Sequence, residues 1–135
     1  MYMLDTNICV HLLNGTSESI VAALQMVHRE DVCISVVTAS ELAFGARKSK
    51  KRTTKSKVAV FLNEMPIDAY STAAGDGYAS VRLYLERKGT PIGPLDTLIA
   101  AHALALDATL VTDNVPEFKR VPGLQIENWH RGVAK

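Results

Sequence analysis

The sequence predicts an α/β fold with a central, mostly parallel sheet and helices on both of its faces. Short apolar or β-branched runs at Met1–Leu4, Val32–Val37 and Thr109–Thr112 read as strands, and longer stretches between them repeat their apolar residues at helical spacing. Strands that alternate with helices are joined by crossovers, which makes neighbouring strands parallel and the crossovers right-handed. With 135 residues and 47% hydrophobic content, one core and one domain over residues 1–135 are expected.

Met1–Leu4 forms the first strand and ends at Asp5. Thr6 and Asn7 then offer capping side chains to a helix carrying Ile8, Val10, Leu12 and Leu13, which Asn14-Gly15 stops. Ser17 caps a second helix through Ile20, Ala23, Leu24 and Val27. Val32–Val37 is the second strand. Thr38 and Glu41 match a capping box that opens a helix through Leu42 and Ala46 into a basic segment, resuming near Val58, Phe61 and Leu62. Pro66-Ile67 marks a brief edge strand. Asp68 introduces a long helix through Val81, Leu83 and Leu85 that Gly89 closes. Pro94 suits the first position of the next helix, which carries Leu98, Ile99, Ala101, His102 and Leu104. Thr109–Thr112 is the third clear strand, and Leu124–Trp129 is a candidate last one.

In open parallel sheets, ligands bind beyond the carboxyl ends of the strands, where loops lead into helix N-termini. Asp5, Glu41 and Asp113 all fall at that edge, and Asp96 joins them if the helix starting at Pro94 points its N-terminus there. Asp31 and Asp107 precede strands and belong to the opposite edge, while Asp68 follows a peripheral, Pro-containing strand. Each acid alone has a structural reading: Glu41 in a capping box, Asp96 on a helix dipole, Asp5 as a helix cap. Their common edge is what points to chemistry.

Converging carboxylates repel one another unless a cation neutralises them. Oxygen-only ligation favours Mg2+ or Mn2+ over zinc. Such an ion lowers the pKa of water and stabilises the leaving oxygen of a phosphodiester, so hydrolysis of a nucleic-acid backbone is the expected reaction. Thr6 and Asn7 add donors able to orient a carboxylate or a water.

The charge distribution agrees with this reading. Arg47 to Lys57 holds seven of the 15 Lys and Arg residues and no acid, leaving 8 basic against 14 acidic residues, or −6, elsewhere. An acidic body can hold cations and a basic segment can meet phosphates, although a solvated helix face has the same composition. Cys9 and Cys33 lack zinc-type spacing and read as buried small hydrophobes. His11, His28, His102 and His130 are scattered and read as structural or surface residues. No glycine-rich nucleotide loop, signal-like N-terminus or membrane-length apolar run is present, so a cytoplasmic protein is expected.

Met3-Leu4-Asp5-Thr6-Asn7, Ser40-Glu41-Leu42 with Gly45-Ala46, the run GTPIGPLDTLIAAHA from Gly89 to Ala103, and VTDNVPEF from Val111 to Phe118 together resemble the PIN-domain family. The resemblance covers nearly the whole chain and is closer to the VapC branch, the toxin nucleases of bacterial and archaeal toxin–antitoxin pairs. It implies a three-layer PIN fold with a central, mostly parallel sheet of four to five strands, and metal ligation at Asp5 and Asp96. Glu41 matches the family's second acidic position. The group Asp113, Asn114 and Glu117 covers the fourth, without an order among the three.

The same resemblance implies water attack on RNA that leaves a 5′-phosphate and a 3′-hydroxyl, with structured RNA such as the initiator tRNA anticodon loop as an example substrate. Lys48, Lys50, Lys51 and Arg52 become candidate RNA-phosphate contacts. The implied partners are a VapB-type antitoxin that blocks the acidic pocket and a second copy of the chain, in a toxin–antitoxin hetero-oligomer that meets promoter DNA only through the antitoxin. Two other readings compete: a non-catalytic RNA-binding or protein-interaction module on the same fold, and a phosphoacceptor receiver domain. Intact Asp5, Glu41 and Asp96 argue against the first, and the lack of paired acids at the first strand end argues against the second.

Overall fold

In the computed structural model residues 1–130 are described. Five strands, β1 (Tyr2–Leu4), β2 (Val32–Ser35), β3 (Ile67–Asp68), β4 (Thr109–Val111) and β5 (Ile126–Glu127), form one sheet in the order β3-β2-β1-β4-β5. Every pairing is parallel. Helices α1 (Thr6–Asn14), α2 (Glu18–Gln25), α3 (Val36–Lys48), α4 (Arg52–Glu64), α5 (Thr72–Arg87), α6 (Pro94–Ala105) and α7 (Val115–Phe118) flank it. The sheet is thus the five-stranded case of the expected range, and it has no antiparallel member among the described residues.

The strands divide the core by their two-residue period. Met3 is in register with Cys33 and Leu110, and these three share a buried cluster with Val81, Leu85, Ile99 and Phe118 on one face. Leu4, in register with Ile34 and Val111, shares the opposite cluster with Ile8, Ile20, Leu42, Val58 and Trp129. Burial on both faces explains why the strands read as unbroken apolar runs rather than as alternating ones. The α1 to α4 side and the α5 to α7 side are the two outer layers.

Local signals set most boundaries. Gly15 and Gly89 end α1 and α5 with φ of 63° and 70°, a left-handed backbone that costs a side-chain-bearing residue about 1–2 kcal/mol. Pro94 opens α6 at its first turn. Ser17 caps α2 through Ile20 N–H, as its position implies.

The structure differs from the sequence expectation at several boundaries; α4 begins at Arg52, inside the basic segment, rather than near Val58, and the last strand is only Ile126–Glu127. The second strand stops at Ser35, because the Ser35 side chain accepts from Val37 N–H and starts α3 there; the β-branched Val36 and Val37 are helical. Thr38 is therefore inside the helix and caps nothing, so the capping box with Glu41 is absent. Of the candidate caps for α1, it is Asp5 that fills the role, as its structural reading allowed, by accepting from Ile8 N–H at 3.0 Å, and Thr6 and Asn7 do not. Asp68 belongs to β3, and Ser71 caps α5 instead.

His102 is completely buried and joins three elements. Its Nδ1 lies 2.7 Å from Ser35 Oγ and its Nε2 lies 3.1 Å from Asp68 Oδ1. Tyr70 meets the imidazole edge-on and donates to the Leu98 carbonyl at 2.9 Å. These contacts fix α6 against the carboxyl ends of β2 and β3, and so set the direction of its N-terminal turn. Among the described residues, no helix is long and apolar enough to cross a membrane.

Candidate active site

The acids gather where β1 and β4 end. The backbone N–H of Asp5 donates to Val111 O at 3.0 Å, so the residue sits between the two central strands with only 3% of its surface exposed. Burial pushes the Asp5 carboxyl from 3.8 up to about 6, and the fields of Asp113 and Asp96 act in the same direction. Hydrogen bonds from Thr112 and from Ile8 N–H partly oppose that rise by favouring the ionised form. Asp5 is a helix cap and a member of the acidic pocket at once.

Asp96 lies in the first turn of α6, whose N-terminus does point to this edge. Burial, then the fields of Glu117 and Glu41, push its carboxyl above the ordinary value, and a hydrogen bond to Glu117 adds to the effect. The fields that link Asp5 to Asp96 and Asp113, and Asp96 to Glu41 and Glu117, bring all five acids into one neighbourhood. Asp31 and Asp107 stand before β2 and β4 at the opposite edge.

Neighbouring polar groups hold these side chains. Thr6 donates to Glu41 Oε1 at 2.7 Å, and the Thr38 hydroxyl lies 3.2 Å from the same Thr6 oxygen. Asn114 donates from Nδ2 to Glu117 Oε2 at 2.7 Å. The Asn114 N–H donates to Thr112 Oγ1 at 2.9 Å, and Thr112 in turn hydrogen bonds to Asp5. Sequence reasoning missed Thr112 and gave Thr38 only a capping role; both are completely buried polar side chains, a property no local pattern displays. Asn7 is exposed, and among the described residues no hydrogen bond joins its side chain to the acids.

Asp113 makes a different contact. Its Oδ2 lies 3.2 Å from His11 Nε2, and the His11 ring stacks on His130 with centroids 4.3 Å apart. His11 and His130 thus meet at the rim of the acidic pocket despite their separation along the chain.

The donor set of the pocket is entirely oxygen, and two of its carboxyls are pushed toward neutrality by burial and by neighbouring acids. A hard divalent cation relieves both costs, so the residues present fit Mg2+ or Mn2+ in their chemistry. Among the described residues, no three of the pocket acids bring a carboxylate oxygen each to within 4.8 Å of one another.

Beside Glu41, a cavity of about 340 Å³ runs between α1, α3 and α4 and is lined by Thr6, Val10, Gly45, Thr54 and Lys57. Lys48, Lys50, Lys51 and Arg52 cluster at the junction of α3 and α4. At about 1.5 Å per helical residue, Lys48 lies about 10 Å along α3 from Glu41.

The PIN domain family matches residues 2–124. The ribonuclease VapC2 of Rickettsia felis is 43% identical over 133 residues, covering 97% of this chain and 99% of that protein. The chain belongs to the PIN-domain family, in its VapC branch. A tRNA(fMet)-specific endonuclease VapC of Salmonella typhimurium is 37% identical to this PIN domain, covering 95% of the chain and 97% of the relative. Among solved structures, VapBC2 of Rickettsia felis bound to a promoter DNA fragment superposes with a TM-score of 0.87 at 43% identity, over 95% of this chain and 98% of that one. DNA-bound VapBC of Salmonella typhimurium gives 0.86 at 37% identity, over 95% and 97%. The PIN fold expected from the quoted motifs is therefore the fold of this chain.

Proposed function

We propose that this chain is a metal-dependent endoribonuclease and the toxin of a type II toxin–antitoxin pair, working in the cytoplasm. The observation that carries the reading is the gathering of Asp5, Asp96, Glu41, Asp113 and Glu117 at the carboxyl edge of the sheet, where burial first and neighbouring acids second hold Asp5 and Asp96 above their ordinary pKa. Relatives named as ribonucleases over essentially the whole chain support the same reading.

Asp5 and Asp96 are the proposed ligands of one Mg2+ or Mn2+ ion, with Glu41 and the Asp113, Asn114 and Glu117 group completing the site. When bound, the ion supplies Lewis-acid activation of water and charge stabilisation at the phosphodiester. Glu41, steadied by Thr6, and Glu117, steadied by Asn114, orient the attacking water through hydrogen bonds to their carboxylates. Asp5 is kept in place by Thr112 and by the first turn of α1, so its oxygens need little rearrangement during the reaction. Water attack on phosphorus leaves a 5′-phosphate and a 3′-hydroxyl. Lys48, Lys50, Lys51 and Arg52 hold RNA phosphates beyond the pocket, and a structured RNA such as initiator tRNA is the proposed substrate class.

The proposed inhibitor is a VapB-type antitoxin. Support comes from the VapBC complexes above and from exposed Phe44 and Leu95, which with Val37 and Leu98 form an apolar surface touching Glu41. Promoter DNA is reached through the antitoxin, and two copies of the chain pair through apolar helix faces in the hetero-oligomer.

The test compares RNA cleavage by the wild type and Asp96→Asn, each with Mg2+ and with EDTA. Loss of at least about a hundredfold in the variant is expected, beyond the 10–100-fold typical of residues that only support a ligand; equal activity rejects the site. Sequencing RNA ends after induced expression then reports the target and the end chemistry.

A further inference from the structure

We infer that His11, Asp113 and His130 form a second metal site, suited to a borderline transition ion such as Zn2+ and sharing only Asp113 with the acidic pocket. This inference goes beyond the nuclease reading and stands whether or not that reading holds. One ligand atom from each of the three residues lies within 4.8 Å of the others. A tetrahedral zinc centre, with bonds of about 2.0–2.2 Å, needs its donors about 3.3 Å apart. Closing that gap requires the His11 and His130 rings, stacked at an interplanar angle of 17°, to swing apart until both Nε2 lone pairs converge on the ion.

The orientation of the two rings is the independent observation. His11 Nδ1 lies 2.8 Å from Thr16 Oγ1, and His130 Nδ1 lies 2.8 Å from Ser17 Oγ. Each imidazole therefore has one nitrogen engaged by a hydroxyl, which holds the ring's orientation as outer partners do for metal-ligating histidines. The other nitrogen, Nε2, is left for the ion, and in His11 it already faces Asp113 Oδ2 at 3.2 Å. Both His11 and Asp113 keep a quarter of their side-chain surface exposed, so an ion and a water can enter.

Two imidazoles and one carboxylate favour Zn2+, Co2+ or Ni2+ over Mg2+, which prefers oxygen and octahedral geometry. The site joins the last turn of α1, the loop after β4 and the segment that follows β5. An ion there clips the end of the sheet to the α1–α2 turn.

The experiment titrates the intact chain with Zn2+ against a chromogenic chelator, and with Co2+ while recording its visible spectrum. One equivalent of Zn2+ is expected, with an intense Co2+ absorption typical of four-coordinate nitrogen-containing ligation. His11→Gln and His130→Gln should each weaken Zn2+ binding by about tenfold or more, while Asp96→Asn keeps it. Position 130 lies outside every helix and strand, so His130→Gln preserves the readout if the α1 variant misfolds. The inference is overturned if no Zn2+ binds, if binding ignores His130→Gln, or if Asp96→Asn removes it, which would put the ion among the acids.

Discussion

Thr6 donates to Glu41 Oε1 at 2.7 Å, so the first turn of α1 holds an acid that α3 presents. A hydroxyl in this position restricts the carboxylate without adding charge. Thr6→Val keeps the β-branched shape and removes the donor. RNA cleavage is expected to fall by about 10–100-fold, and Thr6→Ser should restore most of it. Parallel thermal melts check the assignment: a loss of activity that tracks a loss of stability would make Thr6 a packing residue only.

Asp5 gives the metal-free protein a defined response to pH. Its folded carboxyl keeps a proton up to about 6, whereas the ordinary value is 3.8. Between those values the folded state binds more protons than the unfolded one, so stability falls as pH rises through this window. At about 1.4 kcal/mol for each tenfold change in acidity, the full effect is ~3 kcal/mol. Asp5→Asn should lose this slope and be the more stable chain above about pH 7 in EDTA. Urea melts of both proteins across the window measure the difference, and Mg2+ should raise the wild-type midpoint selectively.

Phe118 ends α7 with 1% of its surface exposed, in the cluster that contains Met3 and Leu110. It anchors the short helix that carries Glu117. Phe118→Ala is expected to cost about 3–5 kcal/mol, read as a lowered urea midpoint. Where the variant remains folded, cleavage should also drop, because the α7 turn loses its fixed position beneath Glu117.

The basic group Lys48, Lys50, Lys51 and Arg52 should act through phosphate charge rather than base recognition. Replacing all four with Gln is expected to flatten the dependence of log affinity on log salt by ~0.7 for each single-strand phosphate left without its cation. Filter binding in the Asp96→Asn background, which protects the RNA, measures that slope. An unchanged slope would return these residues to a solvated helix end.

Much of this architecture is legible in the sequence because its signals are local. The apolar run before Asp5, the proline that opens α6 and the glycine that closes α5 each state a backbone requirement within a few residues. The start of α3 escapes that reading because Val36 and Val37 look strand-like, while the deciding hydrogen bond comes from a single serine side chain. Thr112 beside Asp5, and His11 beside His130, are invisible for another reason. Their partners are fixed by parallel strand register and by the return of the chain to α1, and sequence spacing carries neither. The acids themselves stand out because every described strand in the sheet runs the same way, so position along the chain tells which edge each reaches.

The double duty of Asp5 bears on how inactive forms of this chain should be made. Truncation to alanine there would strip the start of α1 of its anchor as well as emptying the pocket, so a dead protein could mean either a disabled reaction or a disordered entry into the first helix. Asp96 makes no such helix-starting bond among the described residues. Silencing at that position separates chemistry from architecture, and gives a folded decoy for partner capture.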